Sequence, residues 1–367
     1  MKNLRKEFPA LERFVYLNTA ASGLLSETLL DFRQNHDLDF LIGGSEFRLK
    51  EKNLLTETRE TLALFFNADP DLVALLPSFS IGFNFLLEGI PENSKVLLLK
   101  NDYPSINLAV ENRAFEISYA QIDGNLEENV LQAIHENQPE IFIFSLVQYI
   151  NGIKIDFDFL KGLKQRFPEL ILIADGTQYL GTEEFDFKNS GLDVVGASAY
   201  KWLNAGYGNG FFLFSEKAAS LYSPKATGYG SNIGKYKSDE RNFIGKFEPG
   251  HLDTLNFGSL KAALELQSKI GQKEIQKQIE IFSKKAKNEF EKLDLLEESV
   301  VKRKKHSSIF NIRGDEKLLY YLRGNEIICS PRGKGIRISF HYFNTEKELD
   351  FLLKTLRKYT NGSRNKN

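Results

Sequence analysis

A succession of short apolar runs constrains this chain more than any other feature. LVALLP (72–77), KVLLL (95–99), EIFIFSLV (140–147), LILIAD (170–175), LDVVGAS (192–198) and GFFLFS (210–215) are each of strand length. Polar or amphipathic stretches separate most of them, and IDFDFLKGLKQRF (155–167), for example, has the spacing of a helix. Apolar strands alternating with helices imply an α/β architecture, a mainly parallel sheet sandwiched by helices. After residue 258 the pattern changes. SLKAALELQSKIG and QKEIQKQIEIFSKKAKNEFEKL predict two long helices. Weaker strands follow at SIFNIR, EIICS and GIRISF, then the helix EKELDFLLKTLRKY. The expected organisation is a large domain over 15–258, a smaller α+β domain from 1–14 and 259–360, and a disordered polar tail, 361–367.

Composition narrows the class. The 367 residues carry a net charge of −1, so no overall field draws nucleic acid or an acidic membrane. One cysteine rules out an intramolecular disulfide and suits a reducing compartment. The start, MKNLRKEFPALERF, has no apolar core for a signal peptide, and no run is long enough to span a bilayer. A cytoplasmic protein is expected. The five histidines, 36, 135, 251, 306 and 341, show no metal-ligand spacing, so no metal is expected. GYGSNIG (228–234) echoes a dinucleotide loop, but its last glycine is displaced and no strand precedes it. The segment 222–250 is long, glycine-rich and aperiodic, as functional loops are.

The chemistry-bearing residues cluster at strand ends. LILIAD ends in Asp175, with Gln178 three residues on, and LDVVGAS leads into Ser198, Tyr200 and Lys201. In open α/β sheets, ligands gather outside this edge. Taken singly, a strand-end Asp is often a helix cap and a Lys beside an aromatic often a snorkelling surface residue. Pyridoxal phosphate needs the whole set: a lysine holds it as an imine and a carboxylate keeps its ring nitrogen protonated. Gln178 would hold the phenolic oxygen. Tyr200 and Trp202 would keep water from Lys201, making its amine a better nucleophile.

The run ADGTQYLG…SGLDVVGASAYKWLNAGYGNGFFLF resembles the central block of class V aminotransferases, a group that includes cysteine desulfurases, selenocysteine lyases, kynureninases and isopenicillin N epimerase-like proteins. YLNTAASGLLS (16–26) and GIRISFHYFNTEKELD (335–350) are similar to the family's flanking motifs. The resemblance implies the fold-type-I architecture of pyridoxal-phosphate enzymes, a homodimer, and a small-molecule amino-acid substrate. It implies catalytic roles for Lys201 and Asp175. Ser78, Phe79 and Ser80, in PSFSIGFNFLL, would open a helix onto the cofactor phosphate. Tyr103 would stack on the ring, Gln148 would approach its phenolic side, and Ser198 and Tyr200 would reach the phosphate. His251 or Thr254 would serve the neighbouring subunit's phosphate. Arg337 would take the substrate carboxylate, beside Asn18 and Ala21, and Arg332 is a second candidate for that job or a surface residue.

The resemblance leaves the reaction open. Transamination of an α-amino acid is the leading expectation. β-Elimination of the desulfurase kind and epimerisation are alternatives, and a non-catalytic ligand-binding member is a reading of another class. Desulfurases carry a catalytic cysteine on a loop, whereas Cys329 follows two isoleucines and reads as a small core residue.

Overall fold

The structure, a computed structural model, describes residues 4–51, 53–232 and 243–364. Its strands are β1 (Val15–Tyr16), β2 (Val73–Leu76), β3 (Lys95–Leu99), β4 (Glu116–Ala120), β5 (Ile141–Ser145), β6 (Ile171–Asp175), β7 (Val194–Ser198), β8 (Gly210–Phe214), β9 (Ile309–Arg313), β10 (Ile327–Ile328), β11 (Ser330–Arg332) and β12 (Gly335–Ser339). Seven of them form one sheet in the order β2-β8-β7-β6-β5-β3-β4. Successive side chains of a strand point to opposite faces, so each apolar run feeds two cores. Leu97, Phe142, Leu172, Val195 and Leu213 pack on one face, under the helices Leu54–Phe66, Phe157–Arg166 and Thr254–Ile270. Val96, Ile143, Ile173, Val194 and Phe212 pack on the other, under Phe79–Glu88 and Pro104–Glu111.

The pairings among β3 to β7 are parallel, while β8 runs antiparallel to both β7 and β2. The reason lies in the link from β7 to β8. It holds no helix, and Asn204 (φ 57°), Gly206 (φ 74°) and Gly208 (φ 88°) take left-handed conformations that reverse the chain. A parallel return needs a crossover that this link lacks.

Two strands were invisible as apolar runs. β4 lies at the sheet edge with only Ala120 buried, and the two-residue β1 pairs in parallel with β10. The C-terminal region forms an antiparallel sheet, β11-β12-β9, beside the helices Gln272–Lys292, Glu316–Gly324 and Glu346–Arg364. Phe8 and Leu11 pack there with Ile275, Ile279 and Tyr342. The boundary expected at 258 falls inside the continuous helix Thr254–Ile270, which packs on Glu27–Gly43 and Leu54–Phe66. The last helix carries the chain to Arg364, into the segment expected as a tail, and 365–367 lie outside the described residues. So do 233–242 of the long loop, whose flanks form short 3-10 turns at Tyr229–Asn232 and Ile244–Lys246.

Candidate active site

The ends of β2, β3, β5, β6 and β7 deliver Ser78, Tyr103, Gln148, Asp175 and Lys201 to one edge of the sheet. Asp175 pairs across the sheet with Ser145 and Gly196, which centres it on that edge. Lys201 is 6% exposed, and its Nζ lies 5.7 Å from the ring centre of Tyr103 and 5.5 Å from that of Tyr200.

Trp202 anchors the lysine from behind. Its indole N–H donates to Gln178 Oε1 (2.8 Å), and its carbonyl accepts from Gln267 Nε2 (2.8 Å) and His341 Nε2 (3.0 Å). The N-terminal segment closes the other side. Gly23 N–H donates to Tyr200 O (2.9 Å), and a Cβ on Gly23 would fall 2.2 Å from Lys201 O. Only glycine allows the two backbones to approach so closely.

Burial pushes the Lys201 ammonium down to about 8. The Asp175 charge opposes that shift, and the charges of Arg337 and Arg332 add to it. Burial likewise pushes Asp175 up to about 6, while its bonds from Thr177 and the Lys201 charge hold it down. A second carboxylate, Asp102, also raises it. Little in the sequence singles out Asp102. It is buried and accepts from Ser145 N (2.8 Å), Ser145 Oγ (2.7 Å) and Tyr103 N (2.7 Å), so it ties the end of β5 to the Tyr103 turn. Its only local signal is its place directly before Tyr103.

These shifts predict a pH dependence. The nucleophile is the neutral amine, whose share grows as pH rises through the lysine's pKa. Attachment of free pyridoxal phosphate to cofactor-free protein should therefore accelerate with pH and level off above about 8. Asp175→Asn removes the charge that favours the ammonium, so the midpoint should move to lower pH. Absorbance-monitored attachment rates across the pH range check both; an unmoved midpoint in the variant would separate Asp175 from Lys201.

At the phosphate end, Ser78 caps the helix Phe79–Glu88, its hydroxyl accepting from Ile81 N (3.4 Å). Ser198 Oγ accepts from Phe79 N (2.9 Å), and Ser80 Oγ donates to Ser105 Oγ (2.9 Å). Serine hydroxyls at a helix N-terminus make an anion cradle. His251 and Thr254 are bonded elsewhere. His251 is exposed and stacks on Tyr229, and Thr254 Oγ1 bonds His36 Nε2 (2.9 Å).

At the opposite end, Arg337 is 2% exposed and donates to Tyr149 O (2.7 Å). Burial pushes it down to about 10, with Arg332 adding to the shift. Asn18 Oδ1 accepts from Ser330 Oγ (2.9 Å), Ala21 N–H donates to Asn18 O (2.9 Å), and Gln178 Nε2 donates to Ala20 O (2.9 Å). Asn18 to Gly23 thus stitches the lysine loop to the arginine hairpin. Cys329 is buried and its thiol is pushed up to about 11.

The donor set suits pyridoxal phosphate on an observation of its own. Arg337 Nε is a buried donor without a partner among the described residues, and such a donor is costly unless something accepts from it. Together with a buried amine, a buried carboxylate and a serine-lined helix start, it gives the donor set that pyridoxal phosphate would need. Among the described residues, no group of acidic, histidine or cysteine side chains could hold a metal ion, and no helix is long and apolar enough to cross a membrane.

The class so defined is that of pyridoxal-phosphate enzymes, transferases or lyases. Within it, the chain belongs to the aminotransferase class-V family, which matches residues 15–352. It is similar to YcbU of Bacillus subtilis (strain 168), described as an uncharacterized aminotransferase, at 23% identity over 94% of each chain. It is 25% identical to a probable cysteine desulfurase of Mycoplasma genitalium, covering 98% of this chain and 96% of that one. Among solved structures, the apo cysteine desulfurase of Thermococcus onnurineus NA1 superimposes with a TM-score of 0.85 at 16% identity, covering 98% of both chains.

Proposed function

We propose that this chain is a transaminase that acts on an α-amino acid through Lys201. The carrying observation is the buried Lys201 amine, weakened as a base by burial and set between Tyr103 and Tyr200 beside Asp175. When bound, pyridoxal phosphate supplies an aldehyde for the amine and a protonated ring that draws electrons from the substrate α-carbon. Asp175 holds the proton at the ring nitrogen. Ser78, Phe79, Ser80 and Ser198 would receive the phosphate, Tyr103 would cover the ring, and Gln148 and Gln178 would hold the phenolic oxygen. Arg337 takes the substrate carboxylate, and Lys201 Nζ takes the proton from the α-carbon and returns it.

Two observations weigh against persulfide chemistry and epimerisation. Cys329, the single cysteine, is buried and its thiol is held protonated, so it is a poor sulfur acceptor. Epimerisation wants a second base, and burial pushes Tyr200 up to about 12. The purified holoenzyme should convert amino acids to keto acids, measured alongside ammonia, sulfide and inverted stereochemistry. Sulfide or ammonia without keto-acid exchange would replace transamination with elimination.

We also propose a cytoplasmic homodimer in which His251 or Thr254 completes the partner's phosphate site. Leu41 is 81% exposed and Ile42 77%, an apolar surface that a second copy would cover. Co-refolding Lys201→Ala with a His251→Ala/Thr254→Ala double variant should restore activity, since a mixed dimer holds one intact site. Inactivity in demonstrated mixed dimers would put these residues out of the partner's site.

A further inference from the structure

Five arginines of this chain are matched to carboxylates among the described residues. Arg5 pairs with Glu348, Arg59 with Glu248, Arg303 with Glu127, Arg313 with Asp294 and Arg357 with Glu289. Arg337 and Arg332, whose charges both bear on Lys201, are not among them. Among the described residues, neither Arg337 nor Arg332 has a carboxylate partner. Arg337 bonds a carbonyl, and the Arg332 guanidinium bonds only the carbonyl of Pro331 (3.2 Å).

The hairpin register places the two together. In the β11–β12 ladder Ser330 pairs with Arg337 and Arg332 with Gly335. Paired residues of an antiparallel ladder share a face, and so do residues two apart on one strand. Arg332 and Arg337 therefore stand on the same face, diagonally across the ladder. The backbone beneath Arg332 is held in place: Asn311 Nδ2 donates to Arg332 O (2.9 Å). Asn311 reaches it across Gly335, where a Cβ would fall 2.2 Å from Asn311 Oδ1. The position of the hairpin tip is thus built, while the Arg332 side chain itself is exposed to incoming ligand.

The charge of Arg332 is felt at both Lys201 and Arg337, lowering each. Lys201, Arg337 and Arg332 thus carry like charges that bear on one another, and Asp175 is the carboxylate that opposes them at Lys201. A substrate with one carboxylate satisfies Arg337 and leaves Arg332 without a counter-charge.

We infer that the substrate is a dicarboxylic amino acid, whose α-carboxylate goes to Arg337 and whose side-chain carboxylate goes to Arg332. This rests on the reading of the Lys201 site as one for an amino acid. Arg332 is then the residue that selects the substrate. A planar guanidinium is suited to this, because it meets a carboxylate with two parallel hydrogen bonds.

The test compares isosteric pairs on the holoenzyme: L-aspartate against L-asparagine, and L-glutamate against L-glutamine. Binding is read from the change in cofactor absorbance, and turnover from keto-acid formation. At least one acid should exceed its amide in kcat/KM by about ten- to a hundredfold. Arg332→Gln should collapse that ratio towards one, mainly through KM, because the contact exists before and during reaction. Arg332→Lys should keep part of it. The exposed position of Arg332 makes loss of folding a small risk, and retained cofactor absorbance in each variant verifies it. Amides handled as well as acids by the parent, or a ratio unchanged in Arg332→Gln, would overturn the assignment while leaving the amino-acid site intact. If no amino acid of either kind perturbs the cofactor absorbance, the amino-acid reading falls and takes this inference with it.

Discussion

Lys201→Ala is expected to abolish turnover, by at least about 10³-fold, in protein that still folds and still takes up cofactor. Lys201 is the one amine at the β7 end, and it is held between Tyr103 and Tyr200 with little water. On the proposed reading, its loss removes both the covalent attachment point and the base for the α-proton. The surrounding scaffold does not depend on the ammonium, since Trp202 anchors the loop through its own indole and carbonyl bonds. Borohydride treatment followed by peptide mapping should trap cofactor on Lys201 in the parent and nowhere in the variant. Turnover at the parental rate in cofactor-loaded Lys201→Ala would refute the site.

Asp175→Asn is expected to lower the rate by about 10²–10³-fold, with a far smaller loss of cofactor. The exchange keeps the shape and an oxygen for the Thr177 N–H, which donates to Asp175 Oδ1 at 2.7 Å. It removes the negative charge that stabilises a protonated ring nitrogen. Burial makes that charge matter, because a group shielded from water acts on its neighbours through a low dielectric. Asp102 adds to the effect: hydrogen-bonded to Ser145, which pairs with Asp175 across β5 and β6, it raises the carboxylate's affinity for a proton. The rate at saturating cofactor, set against the bound-cofactor absorbance, separates chemistry from affinity. An undiminished rate in the variant would remove the carboxylate from the reaction.

The residues whose roles depend on local context were legible before any coordinates. A uniformly apolar run announces a buried strand, and the polar residue that ends it falls on the ligand edge. That is why Asp175, Gln178, Ser198 and Lys201 stand out together. Tertiary structure decided what depends on distant partners. β4 shows no apolar run because an edge strand buries little, and the antiparallel sense of β8 follows from how its turn closes. Asp102 becomes significant only through Ser145, 43 residues on, and Asn18 to Gly23 only through contacts with Lys201, Gln178 and the hairpin more than 300 residues away. The shared face of Arg332 and Arg337 likewise exists only in the ladder register. Strand formation and strand-end chemistry are written in neighbouring residues, whereas pairing, charge coupling and close backbone approach arise between segments that meet only when the chain has folded.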